Sequence, residues 1–297
     1  MDAAEAHVQF EHLDDRYRGR DLPNAMSVDV EDYFQVSAFD NRISRSEWDQ
    51  MPSRVARNID RVLGLFSEHG AKATFFTLGW VADRHPNVVR RIADEGHEIA
   101  SHGYEHTRVG QLGRDKFFED VSRTRKLLED VSGKPVIGYR APSFSIGADS
   151  LWAHDALLDA GYRYSSSVFP ISHDHYGLPA APRFPFRLSE SELLEIPPST
   201  LRMFGRNWPC AGGGFFRLLP LAYSKWAMGR INRAESMPGI FYFHPWELDP
   251  DQPRVEGISR KARFRHYVNL DKFEGRMAKM LNTFRWNSLR SVFLDGV

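Results

Sequence analysis

Short apolar segments alternate five times with amphipathic helical segments between residues 26 and 169. The apolar segments are strand candidates, at residues 26–30, 73–78, 97–101, 135–139 and 162–169. Strands that alternate with helices in this way form parallel sheets through right-handed crossovers. Over this length of chain, the alternation predicts a closed or nearly closed (β/α) barrel.

The rest of the chain divides into a lead-in, a loop region and an extension. Residues 1–25 are polar and charged, which predicts a flexible lead-in before a single domain over residues 26–297. Residues 170–220 are rich in proline, contain Gly212-Gly213-Gly214 and have one predicted strand, so they predict an elaborated loop over the barrel mouth. Further elements are predicted as strands at 193–196, 239–243 and 289–294, helices at 218–231 and 271–284, and an extension at 245–297.

Charge and cysteine content exclude several classes of protein. Lys and Arg total 39 and Asp and Glu total 39, so the chain lacks the basic footprint of a nucleic-acid partner. The single cysteine, Cys210, allows no disulfide within the chain. The sequence has no apolar leader region and no run of about 18 apolar residues, so we expect a cytoplasmic protein without a transmembrane segment. The sequence carries no signal for an oligomeric state.

Three carboxylates, Asp29, Glu31 and Asp32, lie at or just past the end of the first predicted strand. The carboxyl ends of the strands form the active-site face of a parallel barrel. Because side chains alternate along a strand, Asp29 and Glu31 would share a face, and Asp32 would join them only if the chain bends. Crowded carboxylates repel one another, and a bound cation relieves that repulsion.

Two histidines, His102 and His106, directly follow the third predicted strand. With this spacing, they would lie on one face of a helical turn and could hold one Zn²⁺-like ion. Two imidazoles and one carboxylate leave coordination positions for water and substrate, as catalytic sites do. Three other histidines lie at helix ends or at a strand start and are interpreted as structural: His69, His85 and His97.

Two further predicted strands end in residues that can carry chemistry. Arg140 lies at the end of the fourth strand and could orient a catalytic carboxylate through a bidentate contact. His244 follows the apolar strand at 239–243 and could donate a proton to a leaving amine near neutral pH. Four aromatic residues are candidates to stack on sugar faces: Tyr33, Phe34, Trp208 and Trp246.

These motifs together resemble the polysaccharide deacetylase family, the carbohydrate esterases of family four with the NodB homology domain. SHGYEH resembles the family's metal-binding histidine motif, YRAPSFSI its arginine motif and FYFHPWELDP its final histidine motif. SVDVEDYFQVSAF is similar to the first motif of the branch associated with exopolysaccharide and exosortase gene clusters. GGGFFRLLP and FRHYVNL are similar to the C-terminal extension of that branch. The resemblance covers nearly the whole chain, from about residue 26 to residue 294.

The resemblance implies a distorted (β/α)7 barrel that binds a divalent metal, with Zn²⁺ preferred. By position, it implies roles for five residues: Asp29 as catalytic base, His102 and His106 as metal ligands, Arg140 as the tether of the base, and His244 as general acid. A serine run, Ser165-Ser166-Ser167, stands where many relatives have an aspartate-and-tryptophan motif.

The carboxylate ligand of the metal has two candidates. The usual family motif has two consecutive aspartates, whereas Val30 intervenes here. Strand alternation favours Glu31, and side-chain type favours Asp32. We prefer Asp32 on side-chain type and keep Glu31 as the alternative.

The expected function is the hydrolysis of N-acetyl (or O-acetyl) groups on a polysaccharide, an oligosaccharide or a precursor, in exopolysaccharide biosynthesis. Two alternatives stay open at the level of the sequence. One is an amidohydrolase of the same fold that acts on a small amide. The other is a catalytically inactive glycan-binding module, which would bind no metal.

Overall fold

The computed structural model describes residues 9–173, 176–188 and 191–296. Its strands are β1 (Phe10–His12), β2 (Asn24–Val30), β3 (Thr74–Thr77), β4 (Glu98–Ser101), β5 (Gly138–Tyr139), β6 (Tyr164–Ser165), β7 (Phe186–Leu188), β8 (Leu194–Glu195), β9 (Thr200–Met203), β10 (Arg206–Pro209), β11 (Ile240–Phe243) and β12 (Trp286–Asn287).

Helices connect most of these strands. They are α1 (Asp14–Tyr17), α2 (Val55–Glu68), α3 (Gly79–Arg84), α4 (Pro86–Asp94), α5 (Val109–Leu112), α6 (Arg114–Ser132), α7 (Ala153–Asp159), α8 (Gly213–Leu218), α9 (Leu221–Ala234), α10 (Arg260–Tyr267), α11 (Leu270–Leu281) and α12 (Leu289–Phe293). Short 3-10 turns lie at Ser37–Phe39, Arg45–Gln50, Pro142–Phe144, Ala148–Ser150 and Pro245–Leu248. None of the helices in the described ranges is long and apolar enough to cross a membrane.

Seven parallel strands form the barrel wall, in the order β8-β6-β5-β4-β3-β2-β11. The chain that follows β8 reaches β11 at the other end of this wall, where the backbone N–H of Ser199, directly before β9, donates to the carbonyl of Ile240 at 3.3 Å. The fold is therefore a distorted (β/α)7 barrel, as the sequence predicts. Its main core contains apolar residues of both the strands and the surrounding helices, among them Met26, Val28 and Val30 of β2 and Ile59 and Val62 of α2.

Residues 10–25 are part of the fold, so the prediction of a flexible lead-in is wrong for them. β1 pairs antiparallel with β7, with Phe10 opposite Leu188. Tyr17 of α1 is fully buried, and its hydroxyl donates to the carbonyl of Phe293. Residues 1–8 of that predicted segment lie outside the described residues.

Two other element predictions need correction. Residues 289–293 form α12 instead of a strand, because Ser288 caps the N–H of Ser291 and three apolar residues face the core at helical spacing: Leu289, Val292 and Phe293. The region at 170–220 contains β8 as predicted, but also β7, α8 and an antiparallel β9–β10 hairpin. Its turn at Phe204-Gly205 has both residues in the left-handed region, as tight hairpin turns require.

Candidate active site

Four barrel strands deliver the candidate residues to one end of the barrel. Asp29 lies near the end of β2, and His102, Arg140 and His244 are the first residues after β4, β5 and β11. Because these strands are parallel, their carboxyl ends meet at the same face. The structure brings these four residues together.

Glu31, His102 and His106 form a buried group that could hold a metal ion. One ligand atom of each lies within 4.8 Å of the others, and His106 Nε2 lies 3.0 Å from Glu31 Oε2. Glu31 Oε2 is buried without a hydrogen-bond donor. An ionised carboxylate in such a place needs a compensating charge. Two imidazoles and one carboxylate are a donor set that fits a divalent cation and leaves positions open.

Burial sets the protonation of this group. It raises the pKa of Glu31 to about 7 and lowers the pKa of His102 to about 4. The pKa of His106 is held well below its usual value, again by burial first and by neighbouring positive charges second. Neutral imidazoles with free lone pairs are the form that binds metals. A cation in the group would favour the ionised form of Glu31.

Contacts behind the group fix the orientation of two of its members. The ring Nδ1–H of His102 donates to the carbonyl of Arg140 at 2.8 Å, which directs Nε2 towards the group. Trp246 Nε1–H donates to Glu31 Oε1 at 3.3 Å. Such hydrogen bonds to the ligands are characteristic of metal sites, where they fix the orientation of the ligand side chains.

The two histidines converge through a loop and not through the helical turn expected from their spacing. Gly103 and His106 adopt positive φ angles of 72° and 55°, which no helix accommodates. The loop is held from α6, where the carboxylate of Asp120 accepts the backbone N–H of Tyr104 at 3.2 Å. The rings of His102 and His106 meet with their centroids 5.3 Å apart.

The carboxylate of Asp32 is directed away from the histidines, which corrects the preference for Asp32 over Glu31. Its Oδ2 accepts hydrogen bonds from the backbone N–H groups of Arg54 and Val55, at 2.7 and 3.1 Å, and from the Ser53 hydroxyl. These are the free donors at the start of α2. Glu31, the first residue after β2, instead directs its carboxylate at the histidines, with Oε2 3.0 Å from His106 Nε2.

Replacing each carboxylate by alanine should separate these two roles. Glu31→Ala should remove bound metal, because it deletes the carboxylate of the group. Asp32→Ala should keep the metal and lower the free energy of unfolding by roughly 0.5–2 kcal/mol, the usual cost of losing a helix cap. Metal analysis and chemical denaturation measure the two effects. Metal loss in Asp32→Ala with full metal in Glu31→Ala would reverse the assignment.

Arg140 tethers Asp29, as the motif resemblance implied. The guanidinium is fully buried, and its Nη1–H donates to Asp29 Oδ1 at 2.6 Å and to the Ser27 hydroxyl at 2.9 Å. The other side of the guanidinium donates to the carbonyl and hydroxyl of Ser166, at 3.1 and 2.9 Å. The serine run at the end of β6 therefore supports the tether, and the Ser167 hydroxyl accepts the backbone N–H of Ala141 at 2.8 Å.

His244 points its Nε2 into the site. This atom lies 3.9 Å from Asp29 Oδ2 and 3.6 Å from Glu31 Oε1, and the side chain keeps 22% exposure. Its Nδ1 lies 3.1 Å from Glu247 Oε2. Burial opposes a charge on His244, but Glu31 and Glu247 outweigh it and raise its pKa to about 9.

Three of the four predicted sugar-stacking aromatics are covered by protein, so that role is wrong for them. Tyr33 and Phe34 are buried in the core. Trp246 is buried between the rings of His244 and His266, with centroid distances of 5.1 and 4.2 Å. Trp208 on β10 is 45% exposed and stays a prediction as a stacking residue.

Sequence reasoning missed Glu247, Arg217, Ser27 and Ser166. Glu247 has a local signal, because it follows His244 at three residues, the spacing of a capping box. The hydroxyls of Ser27 and Ser166 accept hydrogen bonds from Arg140, and these contacts exist only because the folded sheet brings their strands close together. Arg217 lies 30 residues before its carboxylate partner, and no local pattern joins them.

A Glu/His/His group beside a tethered aspartate offers the groups that metal-assisted hydrolysis uses. Residues 42–165 match the family model of polysaccharide deacetylases, and residues 166–294 match a domain of unknown function, DUF3473. The chain thus contains a polysaccharide deacetylase domain followed by a DUF3473 domain, which confirms the family resemblance of its motifs.

The chain is also similar to named relatives over part of their length. The chain is 35% identical over 94 residues to a peptidoglycan-N-acetylglucosamine deacetylase of Bacillus cereus, which is 31% of this chain and 34% of the relative. It is 29% identical over 110 residues to a peptidoglycan deacetylase of Helicobacter pylori, which is 37% of this chain and 36% of that one. The chain therefore spans about a third of the length of these curated relatives.

A crystal structure described as a polysaccharide deacetylase of Mycobacterium smegmatis has the same fold. The match has a TM-score of 0.56 at 19% identity and covers 90% of this chain and 87% of that one. At this level of identity, the likeness concerns the fold alone.

Proposed function

We propose that this chain is a metal-dependent deacetylase that hydrolyses N-acetyl (or O-acetyl) groups on a polysaccharide or its precursor. The observation that carries the proposal is the joint position of Asp29 and His244 beside the Glu31, His102 and His106 group. A proton acceptor and a proton donor lie 3.9 Å apart at the edge of a group that fits a divalent cation.

The chain's own residues account for both proton transfers. Asp29, held by Arg140, accepts a proton from the attacking water as a new C–O bond forms at the acetyl carbon. His244 donates a proton to the leaving nitrogen as the C–N bond breaks, which yields acetate and a free amine. When bound, a divalent cation, by preference Zn²⁺, supplies Lewis-acid activation of the water and of the acetyl carbonyl.

The named relatives and the motif resemblance both support a glycan substrate. The relatives named above are deacetylases of peptidoglycan, an acetylated glycan. The motifs after β2 and in the extension resemble the branch linked to exopolysaccharide gene clusters, so we propose an exopolysaccharide as the physiological polymer.

Acetate release from a panel of substrates tests this proposal. We expect acetate from N-acetylated oligosaccharides or polymers, and no turnover of small cyclic or linear amides. O-acetylated sugars of matched length serve as a control for the bond that is broken. Hydrolysis of small amides without acetate from any glycan would favour an amidohydrolase, and no turnover with no bound metal would indicate a binding module.

A further inference from the structure

The DUF3473 region contributes a buried clamp directly behind His244. We infer that Gly213 and Arg217, from the segment GGGFFR, and Glu247 form a positioning device, here called the Glu247 clamp. The clamp sets the direction of the His244 ring relative to Asp29. This inference rests on the proposed function and extends it, because it assigns a task to the two segments that resemble the extension.

Glu247 joins the clamp to His244 through one oxygen. Glu247 is fully buried, and its Oε2 accepts the backbone N–H of His244 at 2.9 Å and lies 3.1 Å from His244 Nδ1. A carboxylate oxygen can only accept, so it holds the tautomer or the cation that carries a proton on Nδ1. Nε2 is thereby left facing Asp29.

Arg217 holds the other oxygen of Glu247. The guanidinium is 1% exposed, and its Nε–H donates to Glu247 Oε1 at 2.7 Å. Its remaining donors reach backbone carbonyls of the segment FRHYVNL: His266 at 2.8 Å, Val268 at 2.9 Å and Arg265 at 3.2 Å. Burial opposes a charge on Glu247, but Arg217 and His244 outweigh it and lower its pKa to about 2.

Of the glycine triplet, Gly213 is required by the contact with Glu247. A Cβ built on Gly213 would lie 1.8 Å from Glu247 Oε2, and one on Gly212 would lie 2.6 Å from the ring of Tyr242. A Cβ on Gly214 would meet open space. Gly213 therefore lets the backbone of α8 approach the carboxylate, and no larger residue fits unless Glu247 moves.

The clamp explains how His244 is supported without the motif that many relatives carry after β6. The serine run there supports Arg140, and the nearby carboxylate of Glu195 accepts the N–H groups of Ser167 and Val168. Within the described residues, the carboxylate bonded to His244 Nδ1 is Glu247, from the extension.

The inference is tested by comparing the turnover of Gly213→Ala with that of the matched control Gly214→Ala. Gly213→Ala should lower turnover of an N-acetylated oligosaccharide about 10²-fold, within the 10²–10⁴ range of general-acid contributions. The loss on an aryl acetate should be much smaller, because that leaving group needs little protonation. Gly214→Ala should behave as wild type on both substrates, and both variants should keep their metal. Equal losses on the two substrates in a folded Gly213→Ala would overturn the inference.

Glu247→Gln is the second variant, in case Gly213→Ala does not fold. Both oxygens of Glu247 accept hydrogen bonds, so an amide of the same size must replace one acceptor by a donor. We expect the same difference between the two substrates. An equal loss on both, in a folded variant with full metal, would contradict the clamp.

Nitrogen NMR of histidine-labelled protein tests the clamp without turnover. The Nδ1–H of His244, assigned by comparison with His244→Ala, should give a hydrogen-bonded signal in wild type and Gly214→Ala. It should shift or vanish in Gly213→Ala. An unchanged signal would refute the clamp even if deacetylation is confirmed, whereas absent turnover with the expected signals would refute the proposed function and leave the clamp intact.

Discussion

Asn in place of Asp29 should abolish acetate release and leave the metal content unchanged. The amide keeps the size of the side chain and can still accept the hydrogen bond from Arg140, but it cannot accept the proton of the attacking water. Loss of a general base typically costs about 10²–10⁴-fold in rate. Initial rates on an N-acetylated oligosaccharide, with metal analysis of the same sample, provide the measurement.

The expected effect of Asp29→Asn does not depend on the leaving group, in contrast to that of the clamp variants. Both an N-acetyl sugar and an aryl acetate require the attack of water, so both rates should fall. Full activity of Asp29→Asn on either substrate would remove Asp29 from the proposed role. Loss of metal in this variant would instead place Asp29 among the ligands.

The second large effect is expected from the double variant His102→Ala, His106→Ala. A single carboxylate is a weak site, so the variant should lose stoichiometric metal and measurable acetate release. Metal that binds only the folded state stabilises it by about 2.7 kcal/mol at a concentration 100 times the Kd. Zinc should therefore raise the melting temperature of wild type and leave that of the double variant unchanged.

His12→Ala is the control for that experiment, because His12 is exposed on β1. It should bind metal and melt as wild type does. Stoichiometric zinc in the double variant would show that the metal site lies elsewhere.

The alternation of strands and helices was sufficient to predict the barrel, because parallel strands covered on both faces are short and rich in apolar residues. β2 and β3 are short and buried along their whole length. The same reasoning failed for residues 10–12. That segment is a three-residue strand with two exposed side chains, and its order comes from pairing with β7, more than 170 residues away in the chain. Pairing over such a distance leaves no local pattern.

Strand ends were also sufficient to predict where Asp29, His102, Arg140 and His244 lie. Strand ends could not predict whether Glu31 or Asp32 is the carboxylate of the metal group, because that depends on contacts with the start of α2. Backbone donors at Arg54 and Val55, more than 20 residues along the chain, bind the Asp32 carboxylate and turn it out of the site. Side-chain type was a weaker guide here than strand alternation.

The contacts that hold His244 in place could also be predicted only in part from the sequence. Glu247 was within reach of sequence reasoning through its spacing from His244, but Arg217 and Gly213 join it only in the folded chain. Gly213 lies in the segment that the sequence predicts as a loop over the barrel mouth, and in the structure it packs against the buried carboxylate of Glu247.

A zinc titration of metal-free wild type, with acetate release measured at each step, tests the central claim most directly. The claim is that one metal, held by Glu31, His102 and His106, is required for deacetylation. We predict no acetate release from the chelated protein, a linear rise with added zinc and a plateau at one equivalent. Acetate release at the full rate from verified metal-free protein would contradict the account.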